Sequence, residues 1–373
     1  MTTPRIIVSL LMLAALASPL GAQAQPADSI AVLGAKSDLN DEDRAQIRTF
    51  VTERVTKIAG TDASAARAAT DELRSAFAGS DAFLRNYAAA CLEAVSSAYK
   101  KADTVAATRL LAVIDAFNVI EAQALLLDAL QDDRVGVRAA GAIGLRTLRP
   151  KLAAAGADTV QKVLGALREA GKKEKSRDTL KTIYAALNFA ELPSAPEPKA
   201  NVAAVLDLLE ARSRQYAAGT VTALGADDTG LRIAQALLRN MDDAERQRLT
   251  VVAATMMKYA IEEYASPATK LSEVRDKTSS RELIETRNAL ERLIVGGEEL
   301  LAALLKPEKA PTVAEQLKKL KMANMKVEWQ NWVPLLQKAV NQDFALRELP
   351  VAEEEAEPAP APETEESAPA ETP

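Results

Sequence analysis

Histidine is absent from all 373 residues, and there is one cysteine, Cys91. The first absence removes the commonest general base, the usual proton shuttle and the most frequent metal ligand. The second excludes an intramolecular disulfide, a cysteine-rich zinc site and a Cys–His pair. Cys91 sits among alanines in "NYAAACLEAV", on an apolar helical face, where a small core side chain is the natural reading. Aromatic residues make up only 4% of the chain, and no segment sustains the two-residue alternation of a half-buried strand. P-loop, dinucleotide-fold glycine, nucleophile-elbow and calcium-loop patterns are also missing, so no cofactor is expected. The paired carboxylates Asp132/Asp133, Asp242/Asp243 and Glu298/Glu299 fall at helix starts or on polar faces. Neighbours in a helix point about 100° apart, so such pairs do not converge on a substrate.

A long apolar run occurs only at the beginning. In "MTTPRIIVSLLMLAALASPLGAQAQ", Arg5 precedes a run from Ile6 to Leu20, and small residues follow at Ala22 and Ala24. This is the layout of a secretory signal over 1–24 with cleavage after Ala24, and it predicts a periplasmic or secreted protein. The run is shorter than the roughly 20 residues that span a bilayer, so no stable membrane insertion is expected after cleavage. The alternative is an uncleaved anchor holding the protein at a membrane surface.

At the other end, residues 348–373 carry nine glutamates, no Lys or Arg, and frequent prolines and alanines. That composition predicts a disordered acidic tail. The net charge of −6 combines −9 in the tail, +1 in the leader and about +2 in residues 25–347. A nearly neutral body does not suit nucleic acid, which calls for a basic face.

Between the ends the chain reads as helix after helix: a linker over 25–40, helical repeats over 41–190, a Pro-rich linker over 191–200, and further repeats or a helical cap over 201–347. Three segments share a pattern: "DAFLRNYAAACLEAV", "DDRVGVRAAGAIGLRTL" and "DDTGLRIAQALLRNM". Asp81, Leu84, Arg85 and Ala89 match Asp228, Leu231, Arg232 and Ala236 at equal offsets, and the middle copy supplies Asp133, Val137, Arg138 and Ala142. Their arginines lie 53 and 94 residues apart, consistent with a period near 47 made of two helices.

The stretch "LLLDALQDDRVGVRAAGAIGLRTL" resembles a HEAT repeat: a helix ending in Leu, an Asp-containing turn, then a Val-Arg pair opening a second helix. The resemblance implies an all-α, right-handed superhelix of stacked helix pairs. It also implies a ladder in which the arginine of one repeat reaches a turn aspartate of a neighbour, at Asp81 and Arg85, Asp133 and Arg138, Asp228 and Arg232. Such residues hold the architecture and do no chemistry.

One further segment suggests binding. In "EQLKKLKMANMKVEWQNWVPLL", Lys318, Lys319, Lys321 and Lys326 form a dense basic stretch, and Trp329 and Trp332 follow at i, i+3. Either it contacts an anionic partner, or the tryptophans pack a closing cap and the lysines are merely solvated. Together these features predict a non-enzymatic envelope scaffold or adaptor that binds another protein through a curved helical surface. The alternatives are an accessory subunit of an envelope enzyme, a weak hydrolase built on carboxylates, and the anchored form.

Overall fold

The computed structural model describes residues 27–192, 197–266, 268–269, 271–274 and 279–347. Residues 1–24, read in sequence as a secretory signal, and the acidic residues 348–373 lie outside them. The described residues are all-helical, with fifteen α-helices, four short 3₁₀ turns and no strand. They form two compact units, one ending at Phe117 and the other starting at Asn118.

The first unit holds α1 (Ala27–Gly34), α2 (Asp41–Ala59), α3 (Ala63–Ser75), α4 (Asp81–Tyr99) and α5 (Thr104–Phe117). Residues 25–40, read as a linker, contain α1, which packs on α2 and α4 and buries Ile30 and Leu33. Asn40 starts α2 with a reciprocal cap. Its side chain accepts from the Asp43 N–H, and the Asp43 carboxylate accepts from the Asn40 N–H. The unit closes around Tyr87, whose ring lies 5.3–6.4 Å from those of Phe50, Phe77, Phe83 and Phe117. Its hydroxyl donates to the Leu73 carbonyl. Arg54 stacks on Phe50 at 3.8 Å and bonds Glu72, so its charge is paired although its side chain is buried. Cys91 is fully buried.

The second unit holds α6 (Gln123–Ala129), α7 (Val135–Ala154), α8 (Ala157–Lys173), α9 (Arg177–Leu187), α10 (Pro198–Ala217), α11 (Asp227–Leu237), α12 (Asp243–Tyr264), α13 (Arg281–Leu305), α14 (Val313–Lys318) and α15 (Met322–Val340). Helices pack on the second neighbour as well as the first: α7 on α9, α9 on α11 and α11 on α13, and likewise α8 on α10 and α10 on α12. The glycines of α7 answer to close contact. A Cβ on Gly141 would meet the Leu130 nitrogen at 2.8 Å, and one on Gly144 would meet the Leu126 side chain at 2.5 Å. Glycine there costs about 1 kcal/mol of helix propensity each and lets α6 lie against α7.

The sequence suggests a break at 191–200, but both flanks of that stretch belong to the second unit. Arg149 of α7 bonds the Asn188 carbonyl and Glu191 (3.1 Å), and the Asn201 amide donates to the Leu187 carbonyl at 2.6 Å. Pro198 opens α10 in the first turn, where its missing N–H is tolerated. The prolines at 193 and 196 lie outside the described residues.

Candidate functional site

Arg138 and Glu174 define one arginine site. Arg138 donates to the carbonyls of Asp132 (2.9 Å) and Asp133 (2.8 Å), and forks onto the Glu174 carboxylate at 2.8 and 3.1 Å. The Asp132 carboxylate instead takes Arg134. The carboxylate that meets Arg138 therefore comes from the turn between α8 and α9, and the Asp133 side chain is exposed. Burial pushes the Glu174 carboxyl up, but Arg138 and the N–H groups of Ser176 and Lys175 outweigh this and hold it below its ordinary range. In the first unit Asp81 and Arg85 are exposed at the start of α4, with no ion pair among the described residues. Arg232 is exposed and only 3.9 Å from Asp228.

A deeper cluster positions α11. Arg212 of α10 and Asp227 of α11 are both fully buried and pair at 3.0 Å. The Asp227 carboxylate also accepts from the Tyr184 (2.7 Å) and Tyr216 (2.8 Å) hydroxyls. Arg212 further bonds Gln215 and the Thr222 carbonyl, pinning the loop that leads into α11. Burial pushes both tyrosine hydroxyls well up, and the Asp227 charge adds to it, so they remain donors. The sequence carries a sign of this: Arg212 lies on the stripe Leu208, Arg212, Tyr216 of an otherwise apolar face.

The next residue after this anchor, Asp228, walls a groove of 760 Å³ between α11, α13 and the end of α14. That size suits a ligand or a peptide segment. From α13 come Asn288, Glu291, Arg292, Val295, Gly296 and Glu299, spaced three and four apart on one face. From α14 and its following turn come Leu317, Lys318 and Leu320. Asp228 is 7% exposed, with Oδ2 near Arg232 (3.9 Å) and Arg292 (3.6 Å) and Oδ1 buried without a hydrogen-bond partner. Gly225, at φ +83°, brings the preceding loop against Ala289 and the Arg292 guanidinium. A second hollow of 510 Å³, walled by Asn188, Thr229 and Arg239, lies on the other side of Arg232.

Glu298 sets α14 in place. Its carboxylate accepts from the N–H groups of Val313 (2.7 Å) and Ala314 (2.9 Å) and from Trp332 Nε1 (3.3 Å). Burial pushes this carboxyl up, although the donors of Ala314, Trp332 and Val313 pull the other way. Trp329 and Trp332 are fully buried, and Trp329 Nε1 donates to the Phe344 carbonyl. The tryptophans therefore present no surface to a partner: their rings complete the packing of α15. Lys318, Lys319 and Lys321 are exposed and Lys326 is half-buried.

Of the residues singled out in sequence, Asp228, Arg232 and Lys318 come together at the groove. Asp81, Arg85, Asp133 and Arg138 line no part of it. Sequence reasoning missed Glu174, Arg212, Asp227 and the α13 face, of which it noted only Glu298 and Glu299 and set them aside as polar-face carboxylates. No helix of the described residues is long and apolar enough to cross a membrane. No family model, curated protein or solved structure matches the chain.

Proposed function

We propose that the protein is an exported, non-enzymatic scaffold or adaptor, built from HEAT-like helix pairs, that binds another protein through the groove between α11 and α13. The observation that carries this reading is the groove itself. It places apolar side chains beside arginines and a lysine that have no short ion pair. Second-neighbour packing of α7, α9, α11 and α13, and of α8, α10 and α12, is the contact pattern of stacked helix pairs, and it supports the solenoid reading. Tyr184 and Tyr216, whose hydroxyls are pushed well up by burial, are committed to buried bonds with Asp227, which suits a structural role for them. The proposal of export rests on the leader-like pattern of residues 1–24.

In-cell crosslinking followed by mass spectrometry, on the intact chain and on one lacking residues 348–373, tests the reading. A reproducible protein partner crosslinked to the second unit supports it. Hydrolase activity that disappears with a single carboxylate substitution would replace it with the enzymatic alternative.

A further inference from the structure

The walls of the groove specify its occupant more narrowly than "a protein". Its anions mostly sit back from solvent: Asp228 is 7% exposed, and Glu291 is half-buried, accepts from the Tyr264 hydroxyl at 3.1 Å and faces Arg287. Only Glu299, exposed on the rim, has no ion pair among the described residues. Its cations are the more exposed, the Arg232 side chain at 66% and the Arg292 side chain at 43%. Arg292 has one ion pair, to Asp228 at 3.6 Å, and Arg232 has a 3.9 Å contact to the same carboxylate plus a 3.4 Å bond to Thr229. Lys318 is exposed with no ion pair among the described residues. Long contacts of this kind hold a guanidinium weakly, so it can turn to a better acceptor.

Apolar surface lies between these charges. Val295 and Leu317 line the groove, and the absent side chain of Gly296 leaves room, since a Cβ there meets nothing within 4 Å. At the lip, Leu320 is 52% exposed and held at φ +54°, a conformation bulky residues seldom adopt. Beyond Arg232, Arg239 lies in the 3₁₀ turn Leu238–Asn240 that follows α11, beside the second hollow. Arg232 and Arg239 both line that hollow, so cations continue past the groove.

We infer that the groove between α11, α13 and α14 binds an acidic peptide segment of a partner protein. An aliphatic side chain of that segment seats on Val295, Gly296 and Leu317, and its carboxylates meet Arg232, Arg292 and Lys318. This rests on the binding role proposed above and adds the chemistry of the partner.

The test is fluorescence anisotropy on the full chain with three short labelled probes: one alternating Glu and Leu, one with Lys in place of Glu, and one with Gly in place of Leu. The Glu-Leu probe should bind at least about tenfold tighter than either of the others, a difference near 1.4 kcal/mol, and should weaken with salt. Arg232→Glu with Arg292→Glu should reverse the charge preference. Gly296→Trp should abolish binding while leaving the melting temperature within a few degrees, since its side chain fills open space. Equal binding of the Lys probe, or binding unaffected by Gly296→Trp, overturns the inference. Binding seen only after removal of residues 348–373 also overturns it, because the occupant is then the chain's own acidic end. If the probes fail but cells yield crosslinks elsewhere on the second unit, the scaffold reading survives and the groove assignment falls. If the Glu-Leu probe binds as described but no crosslink forms, the groove stands and the scaffold reading falls.

Discussion

Removing the Asp227 carboxylate is the sharpest perturbation the fold offers. Asp227 and Arg212 are both 0% exposed, so Asp227→Ala strands a guanidinium in the interior. The substitution deletes the Arg212 fork and the acceptor of the Tyr184 and Tyr216 hydroxyls, leaving Arg212 only Gln215 and the Thr222 carbonyl. Breaking a buried pair from one side costs about 3–5 kcal/mol. In a unit of this size each kcal/mol moves the melting temperature by about 2–4 °C, so the second unit should melt about 6–20 °C lower. Differential scanning calorimetry is the assay, because two units can give two transitions and only one should move. Replacing both partners with Leu should cost less than Asp227→Ala alone, since no charge is then stranded. A shift of only a degree or two, or a double variant worse than the single, would refute the reasoning.

Four further outcomes follow from the same geometry. Arg138→Ala should cost the second unit about 1–3 kcal/mol by stranding the buried Glu174 carboxylate. Because Arg138 and the backbone donors hold the folded Glu174 pKa below its unfolded value, that stability is present above the unfolded value, near 4.3. It is lost as pH falls through the folded value, so wild type and Glu174→Gln should converge on acidification in urea-unfolding curves. Trp329→Ala should cost about 3–5 kcal/mol by opening a cavity and freeing the Phe344 carbonyl, and thermal melting reads it. Cys91, buried and with its thiol pushed up by burial, should react with a thiol reagent only as fast as the first unit opens.

The all-helical class was legible because helix periodicity and caps are local. Asn40 and Ser80 each sit where a first turn needs an acceptor, and each is found capping. The close approach of α6 to α7 was legible from Gly141 and Gly144, which nothing else in that helix explains. Long-range pairings were not legible. Glu174 lies 36 residues from Arg138 in an unremarkable "KKEK" turn, and Asp227 looks like the first half of a capping pair. α1 was missed because two apolar residues, Ile30 and Leu33, give too short a stripe to read. The groove escaped for a similar reason. The α13 face alternates charge with Val295 and Gly296 and reads as an ordinary solvated stripe until α11 and α14 are placed beside it. Only a minority of the groove's lining was marked as candidate residues, by Asp228, Arg232 and Lys318, and the first two were singled out for a structural reason.

The most direct test of the central claim places a photocrosslinking residue at Glu299, on the exposed rim of the groove, and another at Val105, exposed on the first unit. The account predicts that the Glu299 position captures one discrete acidic protein in cells, that Gly296→Trp abolishes the capture, and that Val105 does not capture it. Equal capture from both positions, or capture that survives Gly296→Trp, would contradict it.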